Sequence, residues 1–400
     1  MHDTLKPPSL QLAISTRFLA AHEMVTDAEA LGFRVLPFDS PSDLEKHLMP
    51  PGTVDLVLEI NFHDDVYAIC RAHNLHYTCW TFDVSRHWIG RFSFTPSDFF
   101  FCYDRVDTDH LQAKGIQAEY LPFSAGSLFS RTPCEKEFAC PLLLVMNTYH
   151  DSVNRNAAHY RAGLELLPAA GGWREALTRL KDQSERLLTE SEPDIDRRDF
   201  MARLAASMDS DAVAIFKDQP EKWEAFLHGL GQELACRQRL RLGQTLASHW
   251  PVVVFGDPHW QTLGLPNILF KGMARYEMLP ALYNSAFISV NLTQPQCLTS
   301  IPQRVFHVLA SGGFLLTNPG AALLDIFTPG THLDTFASFE ELTDKCAYYI
   351  AHPGERSRIA RQGHAEFERL HTMKARLNHI IERIYTETQV SGLDSFNGGL

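Results

Sequence analysis

One group of polar residues has the types and spacing needed to bind an anion. In the segment IPQRVFHVLASGG, Pro302 precedes Arg304 and His307. Proline suits the first turn of a helix, where free backbone amides and the helix dipole attract negative charge. Arg304, one turn into that helix, could form forked hydrogen bonds to phosphate oxygens, and His307 would share its face of the helix. The segment is therefore a candidate phosphate site. The alternatives are a solvated helix arginine or an inter-helix ion pair for Arg304, and a structural histidine with its hydrogen bonds satisfied for His307.

A second group of residues could hold an acceptor hydroxyl and remove its proton. Asp83 follows the apolar run LHYTCWT, with Trp80 just before it and Arg86 and His87 just after it. A carboxylate can accept a hydroxyl proton, and aromatic and basic side chains can hold the molecule that carries the hydroxyl. Asp83 is therefore the candidate general base. The alternative interpretation is a turn or N-cap residue.

Other polar positions favour structural roles. His63, Asp64 and Asp65 lack a second histidine at helical spacing, so we favour capping of the next helix over a metal site. Asp104 precedes a helix expected to begin near Asp107, which again favours capping. The sequence contains no G-x-G-x-x-G after its first strand, no P-loop and no G-x-S-x-G motif. It therefore gives no support for a dinucleotide site, a P-loop site or a serine-hydrolase site.

The elements that would position these residues follow from hydrophobic patterning in the first third of the chain. Between residues 11 and 123, short apolar runs alternate with amphipathic stretches, the first of which covers about 20–31. The runs are QLAIST, FRVLPF, VDLVLEI, LHYTCWT, DFFFCY and AEYLPF. Such alternation is typical of a parallel, doubly wound α/β sheet. We expect residues 1–150, including the run PLLLVMN, to form one Rossmann-like domain.

The pattern changes in the middle of the chain and then returns. Residues 151–250 are charged and have helical periodicity, which predicts a helical connecting region. Strand-like runs reappear as PVVVF, NILF, FISVNL, GFLLT and THLDTF, followed by helices up to about residue 386. We expect a second Rossmann-like domain over 251–388 and a flexible tail over 389–400. The predicted fold is thus α/β, with two Rossmann-like domains facing a cleft and a helical insertion between them.

The C-terminal part of the chain resembles a known family. Residues 270–317 have the order of the donor-binding half of GT-B glycosyltransferases: a strand, a loop with Lys271, the helix containing LPALY, a strand ending at Asn291, and a helix opening at Pro302. The segment IPQRVF-x-VLASGGFLLTN, followed by TPGTHLDTF and AHPGERSRIARQG, resembles the CgeB-like, group-1-type GT-B glycosyltransferases. This resemblance covers most of the last 150 residues, and a looser one covers the N-terminal half.

The resemblance implies a nucleotide-diphosphate-sugar donor bound by the C-terminal domain, and an acceptor bound by the N-terminal domain. The donor-binding residues would be Gly256, Lys271, Tyr276, Asn291, Gln303, Arg304 and His307, although Lys271 could be an ordinary surface lysine. His307 departs from the family, in which a carboxylate commonly occupies this position and holds the donor ribose. No organic cofactor and no metal ion are implied, because GT-B transferases generally do not need a divalent ion.

The leading hypothesis is a metal-independent glycosyltransferase that moves a sugar from the donor to an acceptor hydroxyl. A protein, a glycan or a modified nucleobase would serve as acceptor, and the sequence does not choose among them. One alternative is a non-catalytic nucleotide-sugar or carbohydrate-binding protein with the same fold. A sugar epimerase with two Rossmann-like halves is a third interpretation.

Composition limits the other possibilities. The chain of 400 residues is 45% hydrophobic and 21% charged, which suits ordinary buried cores, and no apolar run approaches the roughly 20 residues of a membrane-spanning helix. The net charge of −12 gives no general attraction to nucleic acid. The N-terminus lacks a secretory pattern, and the eight cysteines form no C-x-x-C pair. We expect a reduced, cytoplasmic protein without structural zinc.

Overall fold

The computed structural model describes residues 10–83, 92–155, 220–295, 297 and 299–390, with a few isolated positions between 175 and 206. The described residues divide into two compact units. Unit 1 comprises residues 10–83, 92–128 and 368–390, and unit 2 comprises the described residues from 129 to 367. Each unit contains one sheet of six parallel strands.

The sheet of unit 1 is formed by the strands predicted from the N-terminal apolar runs. They are β1 (Gln11–Ser15), β2 (Arg34–Phe38), β3 (Leu56–Ile60), β4 (His76–Thr81), β5 (Phe99–Cys102) and β6 (Gln117–Tyr120), in the order β2-β1-β3-β4-β5-β6. The helices between them are α1 (Leu19–Ala30), α2 (Pro41–His47), α3 (Asp64–Ala72) and α4 (Arg105–Ala113). The central strands β3, β4 and β5 are buried on both faces, which explains their continuous apolar sequences.

The sheet of unit 2 contains β7 (Leu142–Val145), β8 (Val252–Phe255), β9 (Ile268–Phe270), β10 (Ile288–Asn291), β11 (Leu315–Thr317) and β12 (Asp334–Thr335). Their order is β12-β11-β10-β7-β8-β9. The helices are α5 (Pro220–Ala247), α6 (His259–Thr262), α7 (Leu279–Ser285), α8 (Gln303–Ala310), α9 (Ala321–Ile326), α10 (Phe339–Ala351) and α11 (Pro353–Leu370). A core of fully buried aliphatic and aromatic side chains from β7, β8, β10 and β11 holds this sheet against its helices.

The strand β7 corrects the expected domain boundary at residue 150. It pairs with β8 on one side and β10 on the other, so it is a central strand of the second sheet. An apolar run of four residues has the same pattern in either sheet, which is why patterning placed it with the N-terminal domain. Of the predicted helical connection over 151–250, residues 151–155 and α5 are helical, and most of the remainder lies outside the described residues.

The closing helix α12 (Met373–Val390) belongs to unit 1, whereas the sequence placed it with the C-terminal domain. Arg376, in the first turn of α12, holds the N-terminal end of this helix in place, and its side chain is 9% exposed. The Arg376 guanidinium donates from Nε to the Pro122 carbonyl at 3.0 Å and from Nη1 to the Leu370 carbonyl at 3.2 Å. Its Nη2 lies 3.0 Å from Nδ1 of His371. One buried side chain therefore connects the start of α12 to the segment that follows β6.

No helix in the described part of the chain is long and apolar enough to cross a membrane. All eight cysteines are free thiols, and six of them are buried.

Replacing Arg376 with alanine should destabilise unit 1. The variant leaves buried carbonyl oxygens without their charged donor, and we expect a loss of about 2–3 kcal/mol in the free energy of unfolding. Urea unfolding measures this loss. Arg34→Ala is the matched control, since Arg34 is exposed on the edge strand β2 and its loss should change stability by less than about 0.5 kcal/mol. Equal effects in the two variants would contradict the connecting role of Arg376.

Candidate functional site

The predicted phosphate-binding segment lies at the carboxyl ends of two adjacent strands in unit 2. β10 ends at Asn291 and β11 ends at Thr317, and these two residues are paired in register. The amide of Asn291 donates from Nδ2 to Oγ1 of Thr317 at 2.9 Å, and its Oδ1 accepts a hydrogen bond from Nη1 of Arg304 at 2.7 Å. Pro302 is the N-cap of α8, so the helix starts at Gln303, one residue later than expected. Asn291 thus joins the strand ends to the first turn of the helix.

A second arginine, which the sequence analysis missed, lies at the neighbouring strand ends. Arg239 on α5 is 4% exposed. Its guanidinium donates to the Asn147 carbonyl after β7 at 2.6 Å and to the Leu292 carbonyl after β10 at 3.5 Å. The guanidinium carbon also lies 4.4 Å from the ring centroid of Tyr149. Arg239 therefore lies between the ends of β7 and β10, where the strand order reverses: the chain continues from β7 to β8 on one side and from β10 to β11 on the other. This is the usual ligand position in open α/β sheets.

The two guanidinium groups lack a compensating negative charge. Arg304 donates to the neutral amide of Asn291 and lies near the hydroxyl of Tyr283, and Arg239 donates to backbone carbonyls. In the described part of the chain, neither forms an ion pair with a carboxylate, and Nε of Arg239 is buried without a hydrogen-bond partner. Burial lowers the pKa of Arg304, and the positive charge of Arg239 lowers it further. Since buried unpaired charge is unfavourable, the arrangement is suited to an anionic ligand.

His307 lies one turn after Arg304 and is 5% exposed. Its ring stacks on Phe129, with centroids 3.7 Å apart and an interplanar angle of 8°, and Tyr276 contacts it edge-on at 5.8 Å. Burial, together with the nearby charge of Arg304, lowers the pKa of His307 to about 3. Its Nε2 is buried without a hydrogen-bond partner among the described residues. His307 is therefore a neutral ring with one unused polar atom beside the arginines.

The remaining predicted donor residues lie in differing surroundings. Gly256, after β8, is buried, and a Cβ there would overlap the Met146 carbonyl, so close packing alone explains glycine. Lys271 is exposed at the end of the edge strand β9. Gln303 is half-buried in the first turn of α8. The structure thus pairs Arg304 with Asn291 and His307 with Tyr276, while Gly256 and Lys271 lie on the neighbouring loops.

In unit 1, the structure fixes Asp83 through a residue that the sequence analysis did not select. Asp83 is exposed after β4. Asn61, after β3, donates from Nδ2 to Oδ2 of Asp83 at 2.8 Å, and its Oδ1 accepts from the backbone amides of Phe82 and Asp83 at 2.7 and 3.1 Å. Asn61 has a φ of 60°, a left-handed conformation that asparagine tolerates better than most residues. The carboxylate is therefore held by a neighbouring strand end.

The structure corrects the expectation for Trp80. This side chain is fully buried, and its indole Nε1 donates to the Leu121 carbonyl at 3.1 Å. Because both faces of β4 are buried, the ring belongs to the core and is not available to stack on an acceptor. Arg86 and His87, the other acceptor-side candidates, lie outside the described residues.

A buried carboxylate also lies near the predicted polar segment at the start of α3. Glu59 in β3 is fully buried, accepts a hydrogen bond from the Tyr77 hydroxyl at 2.8 Å, and lies 3.1 Å from Nδ1 of His63. Burial raises the pKa of Glu59, and the hydrogen bond to Glu59 raises the pKa of His63. The sequence signal was the single acidic residue in the apolar run LVLEI.

The expected capping roles can be compared directly with the structure. Asp104 is confirmed as the N-cap of α4, accepting a hydrogen bond from the amide of Val106 at 2.9 Å. His63 is the N-cap of α3 but forms no capping bond through its side chain. Asp65, in the first turn, instead binds the amide of Val66 at 2.8 Å. Among the described residues, no group of three or more His, Cys, Asp or Glu is placed to hold a metal ion.

Comparison with solved structures identifies the fold. Sucrose-phosphate synthase from Thermosynechococcus elongatus matches with a TM-score of 0.55 and 10% identity, over 96% of this chain and 100% of that chain. The DNA-modifying enzyme β-glucosyltransferase matches with a TM-score of 0.53 and 9% identity, over 94% and 100%. Anabaena Alr3699/HepE, in complex with UDP and glucose, matches with a TM-score of 0.50 and 10% identity, over 94% and 100%. The chain therefore has the GT-B glycosyltransferase fold, as expected.

Comparison with protein families is more specific for the C-terminal part. Residues 237–382 match the family described as glycosyl transferase-like. This range contains Arg239, Asn291, Arg304 and His307, so the site described above lies within a glycosyltransferase-like region. No curated protein matches the chain.

The low pKa of His307 should make the protein less stable in acid. The unfolded state takes up a proton near the ordinary histidine pKa of about 6.5, whereas the folded state stays neutral down to about pH 3. The free energy of unfolding is therefore not reduced by protonation of His307 well above pH 6.5, and it decreases as the pH falls below that value. Between pH 7 and pH 5 we expect a decrease of about 2 kcal/mol.

Urea unfolding at both pH values tests this prediction. His307→Gln should lose about 2 kcal/mol less than the wild type over the same interval, because glutamine does not titrate. His73→Gln is the control, since His73 is exposed at the end of α3 and its removal should leave the pH dependence unchanged. A His307→Gln protein with the same pH dependence as the wild type would rule out a neutral buried ring.

Proposed function

We propose that the protein is a glycosyltransferase that moves a sugar from a nucleotide-diphosphate-sugar donor to an acceptor hydroxyl. The observation that carries this proposal is the pair of guanidinium groups of Arg239 and Arg304, which lie at the strand ends of unit 2 and have no carboxylate partner among the described residues. A diphosphate supplies the missing negative charges. The glycosyl transferase-like match over 237–382 supports the same assignment, since it includes both arginines.

The arginines would act on the leaving group. Negative charge accumulates on the diphosphate as the bond between sugar and phosphate breaks, and fixed positive charges at that point lower the barrier. Arg304 would bind phosphate oxygens as a fork, and Nε of Arg239 offers a further unused donor. Because two guanidinium groups supply the positive charge that a divalent ion would otherwise supply, we propose that the reaction is metal-independent. His307 Nε2 would hydrogen-bond the donor as a neutral group.

Finer assignments rest on sequence resemblance and on related structures. The segment IPQRVF-x-VLASGGFLLTN supports placement in the CgeB-like, group-1-type subgroup. A uridine nucleotide is the first donor to test, because Anabaena HepE was solved with UDP and glucose. Lys271 and Gln303, which both lie between Arg239 and Arg304 in sequence, are proposed as peripheral donor contacts.

On the acceptor side, we propose Asp83 as the general base. The hydrogen bond from Asn61 engages Oδ2 and orients the carboxylate, while its exposed position leaves it accessible to an acceptor hydroxyl. General-base catalysis requires a carboxylate within hydrogen-bond reach of the proton that it removes.

A thermal-shift panel of UDP, GDP, TDP, ADP and CMP sugars tests the donor assignment. A ligand at 100 times its Kd should stabilise the protein by about 2.7 kcal/mol. The stabilising sugar nucleotide is then incubated with protein, and released nucleotide is measured. Binding with release of nucleotide supports a transferase. Binding without release or transfer supports the non-catalytic alternative, and the absence of any stabilisation contradicts a nucleotide-sugar site.

Arg304→Ala should weaken nucleotide binding by about 10- to 150-fold, because it removes charged hydrogen bonds to the diphosphate. Calorimetry with the best nucleoside diphosphate gives the affinity. Arg237→Ala is the matched control: Arg237 lies on α5 near Arg239 but forms an ion pair with Glu233 at 2.9 Å, so its loss should have little effect. Unaltered affinity in Arg304→Ala would return this arginine to a structural role.

Asp83→Asn should reduce turnover by roughly 10²–10⁴-fold while leaving donor affinity unchanged, because asparagine keeps the shape but cannot accept the proton. Turnover, donor affinity and melting temperature are measured on the same variant. Asp64→Asn is the control, since Asp64 lies in the first turn of α3. Normal turnover in Asp83→Asn would exclude Asp83, and a loss confined to Asp64→Asn would move the base to that helix.

A further inference from the structure

A cavity of about 320 Å³ lies at the edge of the second sheet opposite to the proposed donor site. Its wall includes Phe287 and Phe314, which immediately precede β10 and β11. Asn291 lies at the other end of β10, four residues from Phe287, or about 13 Å along the strand. The cavity is therefore separate from the arginine pair at the carboxyl ends of the strands.

The lining of this cavity is strongly positive. Arg131, Arg356 and Arg361 contribute to it, and none of its described lining residues is acidic. Glu355, beside Arg356 in sequence, is paired instead with Arg358 at 2.9 Å. Three guanidinium groups without a carboxylate in the same cavity favour an anion with more than one negative charge.

Arg356 is held in place by its surroundings. Its Nη1 donates to the Tyr349 carbonyl, and its guanidinium carbon lies 4.8 Å from the ring centroid of Phe287. Burial lowers the pKa of Arg356, so an anion near it would also relieve the cost of burying the charge. An oriented guanidinium over an aromatic ring loses little side-chain freedom on binding a ligand.

Polar and backbone groups complete the cavity. Ser285 is 2% exposed, and its Oγ accepts a hydrogen bond from the amide of Glu135 at 2.8 Å, which leaves the hydroxyl proton to donate. Gly312 has a φ of +76°, and a Cβ at this position would lie 3.0 Å from Cγ of Arg131. Glycine therefore allows the stem of Arg131 to lie directly over the backbone after α8.

We propose that this cavity binds a small phosphate monoester. A phosphate dianion matches the fork geometry and the charge of three arginines better than a single carboxylate does. The volume is at the lower end of the range for ligand sites, which favours a molecule the size of a sugar phosphate. The rings of Phe287 and Phe314 offer an apolar surface to the uncharged part of the ligand.

The exposed thiol of Cys134 lines the cavity and provides a local readout. The full chain is alkylated with iodoacetamide, and the rate at each cysteine is followed by mass spectrometry. Saturating glucose 6-phosphate should slow alkylation of Cys134 by about tenfold or more, the effect of a site that is mostly occupied. Cys297, half-buried and outside the lining, is the internal control. Glucose should protect neither thiol.

Two arginine variants test the contacts without a strong risk to folding, because both side chains are exposed. Arg131→Ala and Arg361→Ala should each weaken protection by glucose 6-phosphate about tenfold, while Arg34→Ala and Arg304→Ala should leave it unchanged. Melting temperatures establish that the variants are folded. Protection is expressed as the ratio of rates with and without ligand, so that a change in the intrinsic reactivity of Cys134 cancels.

Several outcomes would overturn the proposal. They are the absence of protection at Cys134, equal protection by glucose, and stronger protection by citrate or inorganic phosphate than by glucose 6-phosphate. Unchanged protection in both arginine variants would exclude the proposed contacts. Loss of protection in Arg304→Ala would place the ligand in the proposed donor site instead. The donor assignment itself does not depend on this test, because no arginine is shared between the two sites.

Discussion

The charge of Arg304 and Arg239, which no carboxylate in the described part of the chain offsets, is the constraint around which the strand ends of unit 2 are organised. A guanidinium removed from water needs acceptors for its donors, and here these are Asn291 and two backbone carbonyls that follow β7 and β10. These neutral acceptors satisfy hydrogen-bonding groups without cancelling the positive charge. The fold thus keeps both arginines in place while leaving their charge available to a ligand.

His307 also affects the net charge of this site. A carboxylate at this position, as commonly found in the enzymes that the sequence resembles, would offset part of the positive charge of the two arginines. A histidine whose pKa is lowered to about 3 carries no charge at neutral pH, so the site keeps its full positive charge. The parallel stack on Phe129 fixes the ring without an acidic partner. Under the proposed function, donor binding should therefore depend more on the phosphates, and less on the ribose, than in a site with a carboxylate.

Much of the fold could be predicted from the sequence because the strands of both sheets are buried, and continuous apolar runs reveal them. Because these strands are buried, however, their sequences do not show to which sheet a strand belongs or whether a given side chain lies in the core. The run containing β7 could belong to either sheet, and Trp80 in β4 lies in the core because neither face of that strand meets solvent. Asn291 and Arg304 could be predicted as site residues because they lie 13 positions apart within one segment that resembles a known family. Arg239 and Asn61 act through partners 92 and 22 positions away, and no local pattern marks such contacts.

Two carboxylates of unit 1, Glu59 and Asp83, differ in how far they are buried. Glu59 is fully buried, and burial raises its pKa although Tyr77 and His63 both contact the carboxylate. Asp83 is exposed, and its Oδ2 accepts a hydrogen bond from the Asn61 amide at 2.8 Å. A general base must be able to accept a proton, which requires the charged form before reaction. Under the proposed function, the exposed Asp83 is the one of these two carboxylates that an acceptor hydroxyl can reach, because Glu59 is fully buried.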